Sequence, residues 1–112
     1  MYSFFLAFSL YGTLINKSEL GEAYDINSFV QSDRDYAASI LGEDVTSQVA
    51  DVKLGETNFK TYNYNTSNQT SGEYMVVVYI ADIGDQFLLI DFDANSNFGV
   101  TKAHEVMGKL FK

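Results

Sequence analysis

The stretch MVVVYIADIGDQFLLIDF, Met75 to Phe92, constrains the fold more than any other part of this chain, because one short turn sets the register of two strands at once. Two apolar runs flank Gly84-Asp85, a pair suited to a two-residue hairpin turn, since glycine accepts positive φ without steric cost. Counting outward from Ile83 opposite Gln86 places Ala81 across from Leu88, Tyr79 from Ile90 and Val77 from Phe92, all on one side of the sheet. That side reads as core. The other side carries Val76, Val78, Ile80 and Leu89 together with Asp82, Asp91 and Asp93, and so reads as partly covered or as a surface that meets something else.

The remaining segments supply partners for this hairpin. Phe4, Leu6, Phe8 and Leu10 alternate with Phe5, Ala7, Ser9 and Tyr11, so both faces of a first strand are largely apolar, which predicts an interior position ending at Gly12. A polar connection from Asn16 to Glu22 follows. Ile26, Phe29, Val30, Tyr36, Ala37, Ile40 and Leu41 recur at helical spacing, with Asp25 placed to cap the start, Gly42 to end the helix, and Gln31, Asp33, Arg34 and Glu43 outside. Val45 to Leu54 and Phe59 to Tyr64 predict two more strands, and Asn65 to Gly72, which has no apolar residue, an exposed loop. Val100, Ala103, Met107, Leu110 and Phe111 form the stripe of a closing helix that Ser96 or Asn97 could cap and whose last turn holds Lys109 and Lys112. The expectation is one α+β domain over residues 1–112, ordered strand, helix, four strands, helix, with an antiparallel sheet of about five strands flanked by helices.

Composition narrows function mainly by exclusion. Fifteen acidic residues against seven basic ones give a net charge of −8, which disfavours nucleic acid and anionic membranes and permits a basic protein partner. Cysteine is absent, which removes thiolate chemistry and leaves the compartment open. The opening MYSFFLAFSLYG has no basic residue before Lys17 and no small-residue cleavage pattern, so it reads as a strand and not a signal peptide. A reading frame rarely opens inside a core strand, so a fragment of a longer protein is one reading of this start. No stretch approaches the ~20 apolar residues of a membrane span.

From about Val45 onward the chain resembles the PsbP-like superfamily in its KLGETNF segment (Lys53 to Phe59), the Tyr-rich strand after it, the YIADIGDQFLLIDF hairpin and the closing MGKLFK. The resemblance implies an antiparallel sheet flanked by helices and a non-enzymatic role in binding another protein, as in the folded domain of a bacterial envelope lipoprotein. It carries over no specific functional residue.

Asp91, Asp93, Asn95 and Asn97 alternate like the oxygen ligands that open a calcium loop, but position six is Ser96 instead of glycine and position twelve is Lys102 instead of a bidentate Glu. A strand end passing into a capped helix accounts for the same four residues, and no cofactor is implied. His104, the single histidine, borders the apolar stripe of the last helix. No phosphate loop or nucleophile elbow occurs, so the expectation is no enzyme. Asn16, Asn65 and Asn68 begin N-x-S/T triplets that matter only in a eukaryotic secreted protein.

Tyr62, Tyr64 and Tyr74 should lie close together around the polar loop, either as a recognition surface or packed under a helix. Asp82, Asp91, Asp93, Tyr62, Tyr64 and Tyr74 are therefore the candidate partner-binding residues. Two readings stand: a non-catalytic interaction module outside the cytoplasm, or a small acidic cytoplasmic inhibitor or immunity protein that binds a basic nuclease or toxin. A second copy of the chain could also pair with an exposed sheet edge.

Overall fold

The computed structural model describes residues 8–20, 25–68 and 72–112. Five strands, β1 (Phe8–Asn16), β2 (Ala50–Leu54), β3 (Thr57–Asn68), β4 (Gly72–Asp82) and β5 (Gln86–Asn95), form one antiparallel sheet in the order β1-β5-β4-β3-β2. Helix α1 (Ile26–Leu41) lies on one face and α2 (Val100–Leu110) on the other.

The β4–β5 hairpin has the register that its alternation dictates: Ala81 pairs with Leu88, Tyr79 with Ile90 and Val77 with Phe92, while the Ile83 N–H donates to the Gln86 carbonyl at 3.0 Å. Gly84 turns the chain at φ +90°. Val77, Tyr79, Ile90 and Phe92 are buried with Ala103 and Met107 of α2 and with Phe59 of β3. On the opposite face Val76, Val78, Ile80 and Phe87 are buried against Val30 and its neighbours on α1. The hairpin therefore has a core on both sides over most of its length, with Leu88, Leu89, Asp91 and Asp93 half-buried.

Helix α1 begins where expected, the Asp25 carboxylate accepting from the Ser28 N–H at 2.8 Å, and ends at Gly42 with φ +117°. Its buried stripe is displaced from the sequence reading, which put Tyr36 and Ile40 inside and Arg34 outside: Tyr36 and Ile40 are exposed. Arg34 is buried, because residues 43–47 fold back over it: its guanidinium donates to both Glu43 carboxylate oxygens (2.6 and 3.1 Å), to Asp35 (3.1 Å) and to the Ser47 carbonyl (2.9 Å). Hydrogen bonding from Arg34 in turn holds the Glu43 carboxyl below its ordinary value. Arg34 is thus the clip that ties α1 to the segment entering β2, a use to which its fork of donors is suited.

Several boundaries depart from the pattern reading. β1 is an edge strand, not an interior one, and it passes through Gly12 to Asn16. Phe4, Phe5, Leu6 and Ala7 lie outside the described residues. Of Val45 to Leu54 only Ala50–Leu54 is strand, since Glu43–Val45 is a short 3-10 turn. The Asn65 to Gly72 segment is mostly strand, β3 continuing through Asn68, with residues 69–71 outside the described residues. A run of Asn, Thr and Ser is polar enough for a loop, yet Thr66 and Ser67 pair with Tyr74 and Glu73 and extend the ladder. Helix α2 starts at Gly99 with no side-chain cap, and neither Ser96 nor Asn97 takes that place. No helix is long and apolar enough to cross a membrane among the described residues.

Candidate functional site

Strand parity puts Tyr62, Tyr64 and Thr66 of β3, Tyr74, Val76 and Val78 of β4, and Asp91 and Asp93 of β5 on the face that carries α1. Pairing then lines them up in rows: Tyr62, Val78 and Asp91 across three strands, and Tyr64, Val76 and Asp93 beside them. Helix α1 covers part of this surface and leaves a concavity of about 410 Å³. The sheet contributes the tyrosines 62, 64 and 74, with Asp91; α1 contributes Asp33, Tyr36 and Ile40.

The three tyrosines differ in role. Tyr62 is 3% exposed, and its hydroxyl donates to the Asp33 carboxylate at 2.6 Å. Burial, then that hydrogen bond to an anion, pushes its phenol well above the ordinary range. Tyr64 is half-buried with its ring 6.3 Å from that of Tyr62, and burial followed by the nearby Asp91 charge raises its phenol to about 12. Both therefore stay neutral and able to donate. Tyr36 and Ile40 stand at the rim, 69% and 62% exposed, so this side of the site offers apolar surface to solvent.

Burial also raises the Asp91 carboxyl, with the Asp93 and Asp33 charges adding to it, and burial alone raises Asp93. One Asp93 carboxylate oxygen, Oδ1, is buried without a hydrogen-bond partner among the described residues. An ionised Asp91 accordingly weakens the fold above its raised folded pKa. That penalty is relieved as pH falls through the folded pKa toward the unfolded value, near 3.8. Asp91→Asn should thus raise the thermal midpoint at pH 7 and flatten the gain in stability on mild acidification; an equal or lower midpoint by calorimetry would contradict this assignment.

Four of the six residues singled out from sequence, Tyr62, Tyr64, Tyr74 and Asp91, line the recess; Asp93 lies in the adjoining row of the same face, and Asp82 lies apart. Asp82 shares the face but sits four residues beyond Val78, roughly 13 Å along the strand. There Lys17 binds it at 2.6 Å, and that hydrogen bond lowers its pKa. Asp82 is thus an ion-pair partner of Lys17 and does not line the recess. Asp33, Tyr36 and Ile40 were not singled out; the signal for Asp33 was its place three residues after Val30, at the flank of the buried stripe.

The calcium candidates are divided between strand and turn. Asp91, Asp93 and Asn95 are strung along β5, and the Asn95 side chain accepts from the Asn97 N–H at 2.9 Å, a turn-forming bond. No group of three acidic or histidine side chains suited to a metal occurs among the described residues. His104, whose pKa burial lowers, packs against Tyr79 on the α2 side and shares a 2.7 Å hydrogen bond with its hydroxyl.

No family model matches the sequence, and no curated protein and no solved structure matches it either.

Proposed function

We propose that this chain is a non-catalytic protein-interaction module that takes a basic side chain of a partner protein into the concavity between α1 and the sheet. The observation that carries this reading is the convergence of Tyr64, Tyr74, Asp33 and Asp91 on one recess with Tyr36 and Ile40 at its rim. A lysine or arginine has an apolar stem and a charged head. The stem would lie on the tyrosine rings and Ile40, and the head would meet Asp91, replacing the water that this carboxylate loses by burial, with the Asp33 carboxylate beside it. Rigid aromatic contact with a few desolvated charges is the composition of an interface hot spot. The net charge of −8 adds long-range attraction for a basic partner.

A small acidic inhibitor is the form of this reading in which the partner is a basic nuclease or toxin; an extracytoplasmic adaptor is the form in which the partner is an envelope protein. Affinity capture from source-cell extracts at low and high salt separates the two by the identity of what is retained. In either case a basic protein should be held at low salt and released at high salt, and Asp91→Lys should weaken capture by at least about tenfold, since it puts a like charge against the partner's. Capture that is indifferent to both salt and Asp91→Lys would remove the proposal.

A further inference from the structure

We propose that β1 is an assembly edge, and that two copies of this chain pair β1 with β1 in antiparallel register to join their sheets. Among the described residues β1 has β5 on one side and no strand on the other, so alternate backbone N–H and C=O groups face outward along it. Exposed edges are ordinarily guarded by brevity, charge or proline. The opposite edge is guarded in this way: β2 has five residues and exposes Asp51 and Lys53. β1 has nine residues, no charge and no proline, and it exposes Leu10, Tyr11 and Leu14 by 38%, 59% and 56%.

The edge also suits its own copy better than another strand. A two-fold axis through Gly12 sets Leu10 of each copy against Leu14 of the other and Gly12 against Gly12, so the two leucine pairs close over a position with no side chain. Charge points the same way. A basic strand laid along this edge would gain no ion pair from β1, whereas a second β1 is itself uncharged and brings Leu10 and Leu14 on the face that carries them here. Because each copy carries −8, salt should strengthen this association by screening their repulsion. Capture of a basic partner in the concavity should weaken with salt, so the two proposals fail separately.

Sedimentation of the full chain from ~1 to ~100 μM, at low and at ~0.5 M salt, tests this. The expected result is a monomer–dimer equilibrium that shifts toward dimer at high salt. The double variant Leu10→Lys/Leu14→Lys should weaken dimerisation at least tenfold, while Gln48→Lys/Thr101→Lys, with the same change of charge on exposed positions away from the edge, should leave it as in the parent. Gly12→Cys reports the register without added charge. Its Cβ meets nothing within 4 Å, and the chain has no other cysteine, so mild oxidation should link it to a dimer faster than it links Thr101→Cys. A monomer at every concentration and salt, a dimer that the lysines leave intact, or equal oxidation of the two cysteine variants would each overturn the proposal.

Discussion

Gly55→Ala is expected to lower stability by about 3 kcal/mol and the thermal midpoint by about 10 to 20 °C, although it adds a single methyl group to an exposed turn. Gly55 links β2 to β3 at φ +63°, a conformation that costs L-residues ~1 kcal/mol or more. Its missing Cβ is also where the end of the chain lies: the added carbon would stand 1.9 Å from the Phe111 carbonyl oxygen and 2.6 Å from the Lys112 Cα. Backbone cannot yield there as a flexible side chain could. The carboxy-terminal segment would move away, losing the bond from the Glu56 N–H to the Phe111 carbonyl (3.0 Å) and the edge-on contact of the Phe111 and Phe59 rings, 5.2 Å between centroids. Each of these is worth ~1 kcal/mol, which with the backbone strain makes up the expected loss. Removing Phe111 and Lys112 should therefore cost much less in the Gly55→Ala background than in the parent. Urea denaturation of the four chains measures that coupling, and additive losses would disprove the clash.

The same kind of long-range contact separates what was legible in the sequence from what was not. The β4–β5 register was legible because a turn at Gly84 and strict alternation are both local, and together they leave one solution. The gathering of Tyr62, Tyr64 and Tyr74 was legible for a related reason, since β3 and β4 are neighbours in sequence and parity assigns their faces. β1 was not. A strand apolar on both faces fits an interior position, but its place in the order depends on which strand it pairs with, and Phe8–Asn16 finds β5 only after residues 17–85 have intervened. Arg34 shows the converse. Val30, Arg34 and Ala38 follow one another at helical i, i+4, i+8 spacing, so the wheel places Arg34 on the buried stripe; the charge argued for the outside, and the Glu43 and Ser47 partners that overrule it come from the next segment. Parity places Asp82 on the same face as Asp91 and Asp93 but carries no information about how far along that face it lies from the recess.

Tyr62 and Tyr64, two residues apart on one face, should respond very differently to the same substitution. Tyr62→Ser removes a ring that is 3% exposed and packed under α1, and should cost about 3 to 4 kcal/mol, the range for deleting a buried aromatic. Tyr62→Phe keeps the ring and removes only the donor to Asp33, so a loss near 1 kcal/mol is expected, the carboxylate being open enough to recover water. Tyr64→Ser should cost less than Tyr62→Ser, about 1 to 2 kcal/mol, because that ring is only partly buried. Partner binding should show the reverse order. Tyr62→Phe should capture a basic protein as the parent does, whereas Tyr64→Ser, folded and nearly as stable, should lose about tenfold or more, having lost the wall against which a lysine or arginine stem would lie. Chemical denaturation beside salt-dependent capture gives both orders from the same three variants. Equal destabilisation by Tyr62→Ser and Tyr64→Ser would make the whole tyrosine cluster core and leave the recess between α1 and the sheet as a packing gap, without a surface to offer a partner.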